Sequence, residues 1–187
     1  MFFIMKFEKI FLVFLFTCSV FSSAQSSQKN VLSNLFNQLE GVNNSKNAAL
    51  LEERIWSIWN KHPTNKELTE RLEFGTELMQ YGDYNYALKI FDNILATDPG
   101  WSEAWNKRAT VFFLMKRYTK SLSDIEKVLK IESRHFGALS GQARIFIKLQ
   151  EYEKAIMSLK KALKFYPSFK SGELIPQIEK LIKEESI

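Results

Sequence analysis

The sequence predicts an all-α fold, a right-handed α-solenoid of three helix–turn–helix repeats with a helical hairpin before it and a capping helix after it. The first observation behind this is a period. Shifted by 34 residues, Gly75, Ala109 and Ala143 coincide, as do Tyr84, Tyr118 and Tyr152, and Ala87, Ser121 and Ala155. Phe91, Ile125 and Leu159 follow, then Pro99, Ser133 and Pro167, all without a gap. Periods of this length belong to stacked supersecondary units that bury a shared core between neighbours. The second observation is that each copy holds two apolar-periodic runs separated by a short polar turn. The third is the scarcity of breakers, with 7 glycines and 4 prolines, which suits helices joined by tight turns.

The elements follow in order. Val31, Leu32, Leu35, Phe36 and Leu39 form one stripe at helical spacing, with Gly41 as a C-terminal stop. Asn43, Asn44 and Ser45 supply turn and N-cap chemistry for a second helix from about Lys46 to Lys61, whose apolar face is Leu51, Ile55, Ile58 and Trp59. His62-Pro63 ends it, because the residue before proline is biased away from helical geometry. These two helices do not share the 34-residue register, and they are expected to cover the open end of the stack. In the first repeat the helices are expected at Lys66 to Gln80 and Tyr84 to Ala96. In the second they are expected at Ser102 to Met115 and Tyr118 to Ile131, and in the third at Phe136 to Leu149 and Tyr152 to Tyr166. Small residues at Gly75, Ala109 and Ala143 on the first helix of each pair, and at Ala87, Ser121 and Ala155 on the second, let the axes approach closely. Phe74, Leu78, Phe112 and Phe146 are expected to fill the space beside that contact. Leu174, Ile178, Leu181 and Ile182 mark a last helix that begins or bends at Pro176.

Residues 1–24 stand apart. Lys6 and Lys9 precede the apolar run Ile10 to Phe21, and Ser22-Ser23-Ala24 offers a small-residue cleavage site. That is the pattern of a secretory signal, and the run is shorter than the roughly 20 residues a spanning helix needs. The expectation is an exported, periplasmic protein, soluble once the signal is removed; the alternative is a membrane anchor made by an uncleaved signal. Cys18 is the only cysteine. Phe16 and Thr17 do not fit a lipoprotein signal, so a mature chain from Gln25 has no thiolate and no disulfide. The expected domain limits are 1–24 for the signal, 25–66 for the hairpin, 67–169 for the repeats (68–101, 102–135, 136–169) and 170–187 for the capping helix.

Charge and chemistry exclude several classes. The 26 basic and 21 acidic residues give a formal charge of +5 with the signs interspersed, so no nucleic-acid arm is predicted. Lys154, Lys160, Lys161 and Lys164 crowd one helix and read as a solvated face rather than a lipid-binding one. Two histidines, His62 and His135, do not make a metal site or a triad, and no Gly-rich phosphate loop is present. Glu70, Glu73 and Glu77 share a helix face as solvated carboxylates. No enzyme activity, cofactor or metal is predicted; an envelope hydrolase is the remaining enzymatic alternative.

The residues quoted so far carry a resemblance. The stretch from Leu68 to Phe169 resembles three tetratricopeptide repeats: Trp105 and Leu139 supply the bulky residue early in the first helix, Gly82-Asp83-Tyr84 the turn, and Pro99 and Pro167 the terminator. Arg71, Lys116-Arg117 and Ser133 depart from that pattern. The run Arg134 to Gly141, with the export signal, also resembles small exported tetratricopeptide proteins of proteobacteria.

The resemblance implies a concave groove lined by the first helix of each repeat, receiving an extended or helical peptide. Carried over copy by copy, the groove positions are Thr69, Leu72, Thr76, Met79 and Gln80, then Glu103, Asn106, Thr110, Phe113 and Leu114, then Gly137, Ser140, Arg144, Ile147 and Lys148. The carboxylate clamp of some members is not matched, because Leu72, Thr76 and Ser140-Gly141 stand near its places. The function implied is a non-catalytic scaffold for a partner protein or peptide; the alternative is a structural module that uses the groove as a homo-oligomer interface. Trp101, His135 and Phe169 recur at the end of each copy and read as packing for the inter-repeat turns, and Trp56 and Trp59 as core rather than a ligand cage. A membrane partner is expected only if the signal is retained.

Overall fold

The computed structural model describes residues 26–42 and 44–185, so the expected signal lies outside the described residues. Nine α-helices and one short 3₁₀ helix make up the described chain, with no strand among the described residues. Helix α1 covers residues 26–41 and α2 Ser45–Trp59. The three repeats are α3 (Lys66–Gln80) with α4 (Tyr84–Thr97), α5 (Ser102–Leu114) with α6 (Tyr118–Ile131), and α7 (Phe136–Lys148) with α8 (Tyr152–Phe165). The 3₁₀ turn Lys170–Leu174 leads into α9, Ile175–Glu185, where Pro176 sits at the second helical position and loses no intrahelical bond.

Side-chain caps start α2, α3 and α4. The Asn44 side chain accepts from the amides of Lys46 and Asn47, Asn65 from Leu68, and Asp83 from Tyr86. Between the two helices of each repeat one residue adopts the left-handed region, at φ 84° for Gly82, 58° for Lys116 and 59° for Gln150. These positions are 34 residues apart. Glycine takes that conformation without strain; the lysine and the glutamine are held there by the turn.

Within each repeat the small residues are buried as predicted, and their size matches the partner across the pair. A Cβ added at Gly75 would lie 2.7 Å from the Phe91 ring. The equivalent partners of Ala109 and Ala143 are the smaller Ile125 and Leu159, and all four are buried. Ser121 is buried because its hydroxyl donates to the Ala109 carbonyl at 2.7 Å, which satisfies the one polar group in that seam. Phe74 departs from the expectation. It is 46% exposed and meets Tyr86 edge-on, because no helix of a preceding repeat covers it. Its counterparts are Arg108, which forks onto Asp124 at 2.8 Å and reaches back to Asp92 at 2.7 Å, and Gln142, which accepts from Ser158.

Both terminal elements cap apolar surface, α9 where expected and the α1–α2 hairpin elsewhere. Helix α9 seals the far end with Ile178 buried and Ile175 and Ile182 half-buried, joined by Leu174 of the 3₁₀ turn, against Ala143, Tyr152, Ala155 and Leu159. The sequence expectation puts the α1–α2 hairpin over the open end of the first repeat; the structure packs it on the third. Leu32, Leu35, Phe36, Leu39, Leu51, Ile55 and Trp59 form one core with Phe136, Leu139, Ala162 and Tyr166. Phe36 lies 6.2 Å from Phe136 ring to ring, and Arg134 stacks over Phe36 at 4.5 Å. The third repeat offers Phe136, Tyr166 and Phe169, where the first has Leu68, Asp98 and Trp101. The larger aromatic surface draws the hairpin, since burial scales with apolar area.

The end-of-copy residues Trp101, His135 and Phe169 become the seat of this hairpin. Trp101 donates its ring N–H to the Trp59 carbonyl at 2.9 Å, His135 stacks on Trp59 at 4.0 Å, and Phe169 packs beside the same cluster. The groove is therefore flanked along one edge by α2.

Candidate functional site

A cavity of about 490 Å³ opens on the inner face of the stack. Helix α5 provides Asn106, Thr110, Phe113 and Leu114, helix α7 provides Gly137, Ser140 and Arg144, and Met79 reaches in from α3. Its other wall is α2, through Glu52 and Trp56, and Phe169 and Ser171 close the far corner. Trp56 can stand there because residue 137 is glycine: a Cβ on it would meet the indole at 2.5 Å.

Of the positions carried over from the sequence, Met79, Asn106, Thr110, Phe113, Leu114, Gly137, Ser140 and Arg144 are brought together around this cavity. Leu72 is not a groove residue. It is 1% exposed and fills the core of the first repeat, a correction that follows from its place opposite α4 and beneath α5. Thr76 is half-buried, and its hydroxyl donates to the Leu72 carbonyl at 2.7 Å. Ile147 packs toward the core that α9 covers, and Lys148 is exposed away from the lining. The carried-over set lacks Glu52, Trp56, Lys107, Phe169 and Ser171. For the α2 pair no signal existed, because the hairpin lies outside the 34-residue register.

A buried polar network underlies the α5 side. Glu103 and His135 are both fully buried, with His135 Nε2 3.0 Å from the Glu103 carboxylate. His135 Nδ1 accepts from the Ala138 amide at 3.1 Å, so the ring proton sits on Nε2 and is donated to Glu103. Lys107, a cavity residue, pairs with the other oxygen at 3.2 Å, and Asn106 donates to both. Burial pushes the Glu103 carboxyl up, but the His135 hydrogen bond and the Lys107 charge outweigh it, leaving it below its ordinary 4.5. His62 repeats the device: Nδ1 accepts from the Asn65 amide at 2.9 Å while Nε2 meets Asp98 at 2.8 Å.

On the α2 side, Glu52 accepts from the Tyr166 hydroxyl at 3.0 Å and the Trp56 ring N–H at 3.3 Å. Burial and then this bond raise the Tyr166 pKa to about 12. Arg144 is exposed at the rim with no ion-pair partner among the described residues. Each histidine has both ring nitrogens committed to structure, so neither is poised as a general base. Among the described residues no group of three metal-ligating side chains occurs, and no helix is long and apolar enough to cross a membrane. The arrangement can grip an apolar side chain and an anion together.

Comparison with known proteins bears on the fold. A sequence profile for the anaphase-promoting complex, cyclosome, subunit 3 matches residues 80–162. A TPR repeat-containing protein of Rhizobium etli is 38% identical over 119 residues, covering 64% of this chain; the chain spans 58% of that protein's length. The described residues form an all-α solenoid of helix–turn–helix repeats similar to those of tetratricopeptide-repeat proteins. Among solved structures, the Sgt2 TPR domain from Aspergillus fumigatus superposes with a TM-score of 0.61 at 15% identity, over 65% of this chain and 83% of that one. The first TPR of Spaghetti bound to an HSP90 peptide gives 0.59 at 19% identity, over 62% and 93%. The Yersinia enterocolitica type III secretion chaperone SycD with a peptide of the translocator YopD gives 0.59 at 14%, over 68% and 100%. At these identities the likeness is one of fold.

Proposed function

We propose that this chain is a non-catalytic scaffold that holds a partner protein or peptide in the concave groove of its repeats. The observation that carries the reading is the open cavity itself. Phe113, Leu114, Met79 and Trp56 present apolar surface beside Arg144, a cation with no ion-pair partner among the described residues. Exposed apolar patches rimmed by polar groups mark interaction sites, and a peptide with an apolar anchor next to an acidic residue fits both features. Two of the structural neighbours carry peptides, the HSP90 peptide SRMEEVD and the YopD segment, which supports the same use of the fold here.

The reading extends to location. Residues 1–24 have the order of a secretory signal, which supports an exported, periplasmic protein like the small exported tetratricopeptide proteins it resembles. The N-terminal residue of the protein recovered from cells decides this; Gln25 is expected, and Met1 would indicate an anchor. For the groove, partners captured from envelope extract are expected to be lost with Phe113→Glu and with Arg144→Glu. Recovery of the same partners by both variants would overturn the groove as the binding site.

A further inference from the structure

The first repeat ends in an uncovered face. Phe74 on α3 and Tyr86 on α4 meet edge-on and are 46% and 47% exposed, and Tyr81 in the turn between the two helices is 88% exposed. In a solenoid that side receives a neighbouring helix pair, yet the hairpin that precedes this repeat in sequence is packed on the third. The face is also acidic. Residues 68–101 hold two basic and six acidic side chains, while residues 136–169 hold six basic and two acidic. Glu73 and Glu77 flank Phe74 with no ion-pair partner among the described residues, whereas Glu67 and Glu70 are held by Arg71 and Lys66.

The outer face of α8 carries the complement. On α8, Met157 is 57% exposed and is followed at helical spacing by Lys160, Lys161 and Lys164, all exposed and unpaired among the described residues. A basic amphipathic helix with one apolar knob is the shape an acidic aromatic end face accepts.

We propose that the α3–α4 face binds the α8 face of a second copy of this chain, head to tail. The surface involved is distinct from the groove, so the proposal does not rest on the groove reading. Because the two faces differ, the contact is heterologous and extends past a dimer. Its size sets its strength. The single helix α8, about 21 Å long and about 10 Å wide, presents roughly 210 Å², against about 800 Å² per partner for a standard stable complex. The association is therefore weak and carried by charge.

Sedimentation velocity on the purified protein, across a wide concentration range, tests this. At about 10 mM salt, where charges act over about 30 Å, the mean mass should climb with concentration without a plateau at the dimer. At about 1 M salt, where they act over about 3 Å, it should fall back to the monomer. Glu73→Lys with Glu77→Lys should weaken association at least about tenfold, and so should Lys160→Glu with Lys161→Glu and Lys164→Glu. All five changes together should restore it, which a merely unfolded variant cannot do. Phe113→Glu should leave it unchanged. A monomer at every concentration, a plateau at the dimer, loss with only one of the two reversals, or no recovery in the combined variant would each overturn the proposal.

Discussion

The first and third repeats share a register and differ in their cover. In both, a small residue on the first helix meets a large one on the second, and a single left-handed residue turns the chain between them. The third repeat is roofed by α9 at its end and by the α1–α2 hairpin along its edge, and its aromatic residues are buried or partly buried. The first has an open end, and Phe74 and Tyr86 stand in solvent. Repeat grammar thus sets the internal packing of a unit, while its neighbours decide which of its outer residues are core.

Substitutions and acid both test that contrast. Trp59→Ala removes the indole that stacks on His135 and joins the hairpin to the third repeat, and should cost about 3–5 kcal/mol in denaturant unfolding. Hydrogen exchange should then rise in α7 and α8 more than in α3. The Trp59 ring N–H is the one buried side-chain donor without a partner among the described residues, so Trp59→Phe should cost much less. Arg108→Leu leaves Asp124 buried without its cation and cuts the link to Asp92 on the first repeat. A loss of about 3 kcal/mol is expected, with exchange rising in α3 and α4 first.

Acid should act through Glu103. Its folded pKa is depressed, so its contribution is present above 4.5 and is lost as pH falls through the lower folded value. Glu132, pushed up by burial and brought below its usual range by Arg134, has the same sign. Stability measured by denaturant should therefore be flat from neutral pH to about 5 and decline below about 4.5. Glu103→Gln should flatten the decline. The smallest effects concern the turns. Lys116→Gly and Gln150→Gly should each raise stability by about 0.5–1 kcal/mol, while Gly82→Ala should lower it by about 1 kcal/mol.

Much of the fold was readable because its causes are local. Asn65 and Asp83 cap the helices they precede, Gly82 turns the chain, and the apolar spacing runs unbroken from Lys66 to Gln80, so those helices lie where the sequence puts them. The site was readable only where it follows the register. Asn106, Thr110, Phe113 and Arg144 line the cavity because they occupy one face of α5 and α7. Leu72 misled because the same position is open in one copy and covered in another. Trp56 could not be found at all, since its place depends on where a hairpin outside the repeat docks.

The 34-residue period, the caps and the pairing of small with large residues were determined by the sequence alone, because each acts between residues close along the chain or equivalent between copies. That α1 and α2 wall the groove beside the third repeat, touching the first through Trp101 while leaving its Phe74 face uncovered, follows from long-range packing. The reason is a competition between surfaces: Phe136, Tyr166 and Phe169 offer the hairpin more apolar area than the first repeat does, and that comparison is made between residues about a hundred positions apart.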